Sequence, residues 1–253
     1  SEPSLTLVLP LTIDDLSRAS VLLYSLQKMK ADIVYEMLIF TPAQHQSIIE
    51  GALLGIASKL HLSFQIKVLN ENILFTRSSS EQLQPPYPYA IQMAIKLLAA
   101  KFIQTSYYLT LDADIIQLHE LELSNLILSM ESSSSSTSTE YKALYHWEKR
   151  SIHENWWLGS EKITNINYNT ILNVESNEVM LWSEYTLYRI VLDYYEVTFI
   201  RWKLHCYNVW YSAQLPWNAE LVKEATNCAF SVIQSSTGVS PSSILALYNK
   251  YIY

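Results

Sequence analysis

The chain has 253 residues, and 17 Lys+Arg against 24 Asp+Glu leave a formal net charge of −7 at pH 7. Hydrophobic residues make up 49% and charged residues 16%, enough apolar material for a core and too much for a disordered chain. The acidic balance excludes a protein that coats nucleic acid through a basic surface, and two cysteines are too few for a disulfide framework or a cysteine-rich zinc site.

The first half alternates strand and helix signals. Ser1-Glu2-Pro3-Ser4 has no basic n-region, so no signal peptide is expected, and no run reaches the ~18 apolar residues of a membrane span. Leu5-Thr6-Leu7-Val8-Leu9, closed by Pro10, reads as a buried strand. Asp14 is placed to cap a helix whose apolar positions Leu16, Ala19, Leu22, Leu23, Leu26 and Met29 follow the 3.6-residue period. Residues 36–40 form the second expected strand. Thr41-Pro42 opens a helix reaching about Leu60, with proline in its first turn, and residues 64–69 form the third strand. A polar loop with one short turn is expected over 70–88, a helix over 89–103, and a fourth strand over 107–111.

The second half is less regular. Residues 132–136 are an unbroken serine run inside 131–140, a low-complexity loop. A helical pattern covers 182–195, strands are expected at 197–202 and 229–233, and Pro241 opens a terminal helix. No internal repeat or clean linker divides the chain, so one domain over 1–253 is expected. Strand–helix alternation predicts the α/β class: a mostly parallel central sheet flanked by helices, with an irregular C-terminal half. Ligands in such sheets bind at the carboxyl ends of the strands. That rule points to Pro10-Leu11-Thr12, Thr41-Pro42 and Asp112-Ala113-Asp114.

The last of these carries the sharpest chemistry. An apolar strand, residues 107–111, ends in two carboxylates at i and i+2, which face the same way if the chain stays extended. Like charges at one point repel, and a divalent cation such as Mg²⁺ or Mn²⁺ relieves them while also accepting phosphate oxygens. A strand-end turn with two solvated aspartates is the plain structural alternative.

Here the sequence resembles a known family. Residues 7–12 (Leu-Val-Leu-Pro-Leu-Thr), Tyr89-x-x-Gln92-x-x-x-Lys96 and the Asp112-Ala113-Asp114 strand are similar to the GT-A glycosyltransferases, the nucleotide-diphospho-sugar transferase fold with a D-x-D motif. Residues 183–188 (Ser-Glu-Tyr-Thr-Leu-Tyr) and 234–238 (Gln-Ser-Ser-Thr-Gly) resemble a small subgroup from bacteria, algae and large algal viruses. The resemblance implies a nucleotide-binding half over about 1–116 and an acceptor and donor-sugar half over about 117–253. It implies a hexosyl- or pentosyltransferase that moves a sugar from a nucleotide-diphosphate donor, a UDP-sugar by expectation, to a hydroxyl of a glycan or other acceptor.

The same resemblance suggests roles. Asp112 and Asp114 hold Mn²⁺ or Mg²⁺ against the donor diphosphate, with Asp112 also near the nucleotide ribose and His205 as a third ligand. Pro10, Leu11 and Thr12 line the nucleotide pocket. Gln92 and Lys96 reach the donor from the helix before the D-x-D, and Gln234 lies in a polar loop over it, where Gly238 marks a required turn. Glu184 serves as general base on the acceptor hydroxyl. Structural alternatives stand beside these. Lys96 also fits a solvated helix face, His205 an ordinary structural position, and Glu184 the favourable end of a helix dipole. All seven tryptophans, Trp147, Trp156, Trp157, Trp182, Trp202, Trp210 and Trp217, fall in the second half. They serve either core packing or stacking against acceptor sugars, with Trp156-Trp157 the best placed for the latter.

Two rivals remain. A nucleotidyltransferase of similar fold needs a Gly-rich basic loop after the first strand, where this chain has Pro10-Leu11-Thr12-Ile13-Asp14. A non-catalytic glycan-binding scaffold keeps the fold without needing either aspartate. P-loop, dinucleotide and nucleophile-elbow signatures are absent, and the few basic residues form no nucleic-acid stripe. A bridge between Cys206 and Cys228 stays open, as does a choice between cytoplasm and Golgi lumen.

Overall fold

All six residues of Leu5–Pro10 (β1) are buried, so this strand has no outward side. Such a strand belongs inside a parallel sheet covered on both faces. The computed structural model places it there. It describes residues 4–29, 33–75, 88–122, 127–130, 140–145, 200–201, 207–209, 215 and 230–252, with backbone alone for 88–90, 127–130, 140–145, 200–201 and 207–209. The expectations for the serine-rich loop, the 182–195 helix, Glu184, His205, both cysteines and the tryptophans lie outside these residues.

β1 is flanked by Val34–Thr41 (β2) and Tyr107–Thr110 (β4), and Gln65–Asn70 (β3) forms the edge beyond β2. The order is β3-β2-β1-β4, and every pairing is parallel. This is the α/β class with the parallel central sheet that the alternating pattern predicts.

The period of two sorts the side chains. Leu5, Leu7 and Leu9 of β1, with Met37 and Ile39 of β2, pack on Ala19, Leu22 and Leu23 of α1 (Leu16–Ser25) and Ile49 and Leu53 of α2 (Gln46–Ala57). Val8, Leu38 and Phe40 pack on the opposite face against Ile95 of α3 (Pro88–Leu98) and Ala99. Thr6, the one polar residue inside β1, satisfies its hydroxyl on Thr105 Oγ1 at 2.8 Å, and Thr105 in turn donates to the Tyr107 carbonyl at 2.7 Å.

After β4 the chain leaves this sheet. Further strands are Ile115–Gln117 (β5), Ile127–Met130 (β6), Glu140–Tyr145 (β7), Ile200–Arg201 (β8), Tyr207–Val209 (β9) and Phe230–Ile233 (β10). They form two three-stranded sheets, β5-β10-β9 and β6-β7-β8. β10 runs antiparallel to β5, with Ser231 opposite Ile116. This pairing carries the late part of the chain back beside the end of β4. Ile116, Leu118 and Ile233 then share a cluster with Val21 of α1 and Ile244 and Tyr248 of Pro241–Tyr251 (α4). Ser240 caps α4 by accepting the Ser243 N–H at 3.2 Å, one position before the proline expected to open it.

Two helix starts differ from the expectation. Asp14 does not cap α1; it sits inside a 3₁₀ turn, Ile13–Asp15, and α1 begins after it. The helix expected from Thr41-Pro42 begins instead at Gln46, behind a 3₁₀ turn, Ala43–His45. Pro42 is extended, with ψ at 140°, and its ring keeps Thr41 in the strand, so no helical turn begins before Ala43. α3 is shorter than expected because it tightens into a 3₁₀ turn over Ala99–Phe102. No helix among the described residues is long and apolar enough to cross a membrane.

The two-sided burial of β1 sets the first test. Leu9 is 0% exposed in the larger cluster, so Leu9→Ala is expected to lower unfolding free energy by about 2–5 kcal/mol in urea titration. Ile48→Ala, at a 56% exposed position on α2, is expected to change it by less than about 0.5 kcal/mol.

Candidate active site

The carboxyl ends of β1 and β4 lie side by side. The Leu111 N–H donates to the Val8 carbonyl at 2.8 Å, carrying the pairing one residue past β4, and the Leu11 N–H donates to the Phe40 carbonyl at 2.8 Å. Beyond Leu111 the direction changes. The Ile115 N–H donates to the Asp112 carbonyl at 3.1 Å, closing a turn over 112–115. The expectation of an extended chain carrying Asp112 and Asp114 on one face is therefore corrected. Ile115 must join β5 in a different sheet, and the chain reverses to reach it. The turn still keeps the two carboxylates close enough for the charge of Asp112 to act on Asp114.

Asp114 is the more enclosed of the two. Its carboxyl is pushed up from the ordinary 3.8 to about 6, by burial first and by the Asp112 charge second, while the Arg18 guanidinium pulls the other way. Val21, Ala113, Ile116 and Ile244 join Arg18 and Asp114 around a void of about 10 Å³, the lower limit for one water. The Asp114 carbonyl accepts the Ile233 N–H at 2.9 Å, so β10 pins the turn from the other side.

Asp112 is 41% exposed and pairs with Lys96, whose Nζ lies 2.7 Å from its Oδ1. Lys96 is not on a solvated helix face: its side chain is 5% exposed. It lies on α3 between the buried Ile95 and Ala99, and one turn after Met93, which points its stem into the structure. Gln92, half-buried, precedes it by one turn at the i, i+4 spacing.

The loop after β1 supplies the next wall. Pro10 and Leu11 are buried, and the Leu11 side chain belongs to the core. With its N–H also committed to Phe40, Leu11 has little left for a ligand. Thr12 is half-buried and donates its hydroxyl to Asp15 Oδ2 at 3.1 Å. Arg18, one turn into the helical segment, donates to three carbonyls at and after the end of β10: Ile233 at 3.3 Å, Ser235 at 3.4 Å and Val239 at 3.4 Å. Gln234 leads that segment, which curls through Ser235–Thr237 and leaves at Gly238 with φ of 70°. This is the left-handed turn expected of a scarce glycine.

Asp112, Asp114, Lys96, Thr12 and Gln234 therefore stand on elements that meet at one edge of the sheet. Asp15 and Arg18 join them without having been singled out from the sequence. The available signal was an acidic pair and an arginine within the first helical turns after the first strand. Two carboxylates on one turn offer the hard oxygen donors that suit Mg²⁺ or Mn²⁺, ions that keep several waters and fill their shells from phosphate. No group of three or more His, Cys, Asp or Glu side chains is gathered for a metal among the described residues.

The sequence profile of a family of unknown function, DUF6492, matches residues 2–175. No curated protein matches the sequence. Among solved structures, mouse xyloside xylosyltransferase 1 in its apo form is similar at 9% identity and a TM-score of 0.49, over 94% of this chain and 99% of that one. The glycosyltransferase GlyE of Streptococcus pneumoniae TIGR4 is similar at 9% identity and a TM-score of 0.39, over 99% of this chain and 64% of that one. Likeness at this level assigns no activity to the chain.

An acid that titrates higher folded than unfolded holds its proton more tightly in the folded state, so ionising it costs stability. For Asp114 that cost is absent below about pH 4, grows as pH rises toward 6 and stays in place above. With a chelator present, this group is expected to remove up to roughly 3 kcal/mol of unfolding free energy across that window. Asp114→Asn is expected to abolish the decline, measured by denaturant titration at half-unit steps of pH.

Proposed function

The chain belongs to the DUF6492 family, whose function is unknown, and from that premise we propose that it is a metal-dependent glycosyltransferase. It takes a sugar from a nucleotide-diphosphate donor, a UDP-sugar by preference, and delivers it to a hydroxyl of a glycan or other acceptor. The observation that carries this reading is the paired carboxylate turn at the end of β4 with a buried ammonium held against it. The ordered sequence resemblance to GT-A enzymes supports it.

Asp112 and Asp114 are the groups to hold Mn²⁺ or Mg²⁺, and the ion, once bound, stabilises the negative charge of the departing nucleoside diphosphate. Lys96 brings a second positive charge to the same place from within the fold, already oriented and largely dry, where it acts at short range with little screening. Thr12 and the turn that follows border the nucleotide side. Arg18 fastens the segment that Gln234 leads, and Gln234 carries an amide able to donate to and accept from sugar hydroxyls. In the transfer, the acceptor oxygen bonds to the anomeric carbon as the bond from that carbon to the diphosphate oxygen breaks. Glu184 takes the acceptor proton in an inverting version of the reaction, and His205 is the candidate third ligand.

The loop after β1 argues against a nucleotidyltransferase. Ile13–Asp15 forms a tight 3₁₀ turn carrying two carboxylates, a poor place for a triphosphate.

The test is release of nucleoside diphosphate from a panel of nucleotide sugars, with Mn²⁺ and with EDTA. One donor is expected to be hydrolysed slowly in Mn²⁺ alone, and Asp114→Ala is expected to lower that rate by at least about 10²-fold. If no donor is turned over and calorimetry in Mn²⁺ detects no UDP binding, the reading fails. Glycan binding that persists in the Asp112→Ala, Asp114→Ala double variant points instead to a scaffold.

A further inference from the structure

At the amino ends of β2 and β3, the edge of the sheet opposite the aspartates, Tyr35, Glu36, Phe64, Gln65 and Lys67 border a hollow of about 410 Å³. That is room for a small ligand or one long side chain. The pairing of β1 with β2 slips by one residue here, from Leu5 opposite Val34 to Thr6 opposite Glu36. Tyr35 is the extra residue of this irregularity, which lets two consecutive side chains border one hollow instead of taking opposite faces. Glu36 begins a row of β2 that continues through Leu38 and Phe40, both buried. Its side chain is 4% exposed, and Lys67 Nζ, on a side chain 50% exposed, lies 2.6 Å from its Oε2. Oε2 is fully buried and has no donor other than that ammonium among the described residues. For stability alone an apolar residue would serve this position as well, because a carboxylate out of water loses solvation that its cation only partly returns.

Lys67 swings into water at little cost, since its stem is flexible and its side chain is already half solvated. Glu36 cannot follow, and it needs a cation wherever Lys67 goes. An ammonium is an imperfect one. It is a compact point charge, whereas a carboxylate takes two parallel N–H bonds from the planar fork of a guanidinium. The hollow also holds what such a fork uses besides a carboxylate. The Tyr35 side chain, on a residue 56% exposed, offers a ring for stacking, and Ser63 and Gln65 carry oxygens for the remaining N–H groups. The chain's net charge of −7 favours the approach of a cation. We propose that this hollow is a guanidinium-binding site, with Glu36 as its anchor and Lys67 as a tethered stand-in that leaves when the ligand's guanidinium arrives. One ion pair replaces another, and the carboxylate is never left alone. The ligand is arginine itself or an arginyl side chain of a peptide, which share this chemistry. The site lies outside the proposed glycosyltransferase site and does not rest on that reading.

Amide-shift titration of the isotope-labelled full chain by NMR tests this. The probe is N-acetyl-arginine amide, whose guanidinium is its one charge. It is expected to shift the amides of residues 34–36 and 63–67 with a Kd of about 1 mM or tighter. N-acetyl-citrulline amide, its neutral isostere, and N-acetyl-lysine amide are each expected to bind more weakly, the first by at least about tenfold. Glu36→Gln is expected to remove the shifts. Lys67→Met is expected to tighten binding about tenfold, because no tethered cation has to leave, and Lys67→Arg to weaken it about tenfold, because its own guanidinium fills the site. Tyr35→Ala is expected to weaken it about two- to fivefold. Free L-arginine distinguishes the sources: binding tighter than the capped amide supports the amino acid as ligand, and equal or weaker binding supports an arginyl side chain. If the citrulline or lysine compound matches the arginine one, if Lys67→Arg binds as the native chain does, or if these amides do not move in about 20 mM probe, Glu36 and Lys67 form an ordinary cross-strand ion pair and the inference is overturned. Should Lys67→Met fail to fold, the comparison of Lys67→Arg with the native chain decides alone.

Discussion

A strand with six consecutive buried residues has nowhere to keep polar chemistry along its length. β1 imposes that condition on the whole four-stranded sheet. Its neighbours must be parallel strands joined by covering helices, and every polar function must move to strand ends. Because the strands run the same way, their carboxyl ends arrive at one edge together. Thr12 after β1 and the aspartates after β4 are neighbours for this reason, although about 100 residues of chain separate them.

At that edge the electrostatics are tightly balanced. The protein is acidic overall, and Asp15, Asp112 and Asp114 add three carboxylates to a small region. Among the described residues Arg18 and Lys96 bring cations to them, and the two are used differently. Arg18 donates from its rigid guanidinium to three carbonyls and works as a brace between α1 and the end of β10 with the segment after it. Lys96 sets a compact ammonium 2.7 Å from Asp112 Oδ1.

Much of this was legible in the sequence, and the reasons are local. The apolar run of β1, the run before Asp112, and Pro241 opening α4 all carry their structure within a few residues. Gly238 ends the polar stretch after the last expected strand, and its φ of 70° is a conformation glycine adopts without strain. The failures come from contacts distant in sequence. Nothing near Asp114 says that the chain must turn, since the turn exists to reach β5, and β5 exists only through its pairing with β10. The burial of Lys96 depends on how α3 sits on the sheet, which its own period leaves open between a wet face and a dry one. Arg18 escaped notice because its three acceptors lie more than 200 residues away.

That long-range pairing also sets a clock. The four-stranded sheet is complete once β4 has been made. The Asp112–Asp114 turn has to wait. Its outer wall, the brace on Arg18 and the hydrogen bond to the Asp114 carbonyl all come from residues 233–239. During synthesis those residues emerge roughly 6–20 s after β5 at ordinary elongation rates. The four strands of the central sheet thus emerge well before the residues that close the pocket beside Asp114, which is finished only when the end of the chain docks.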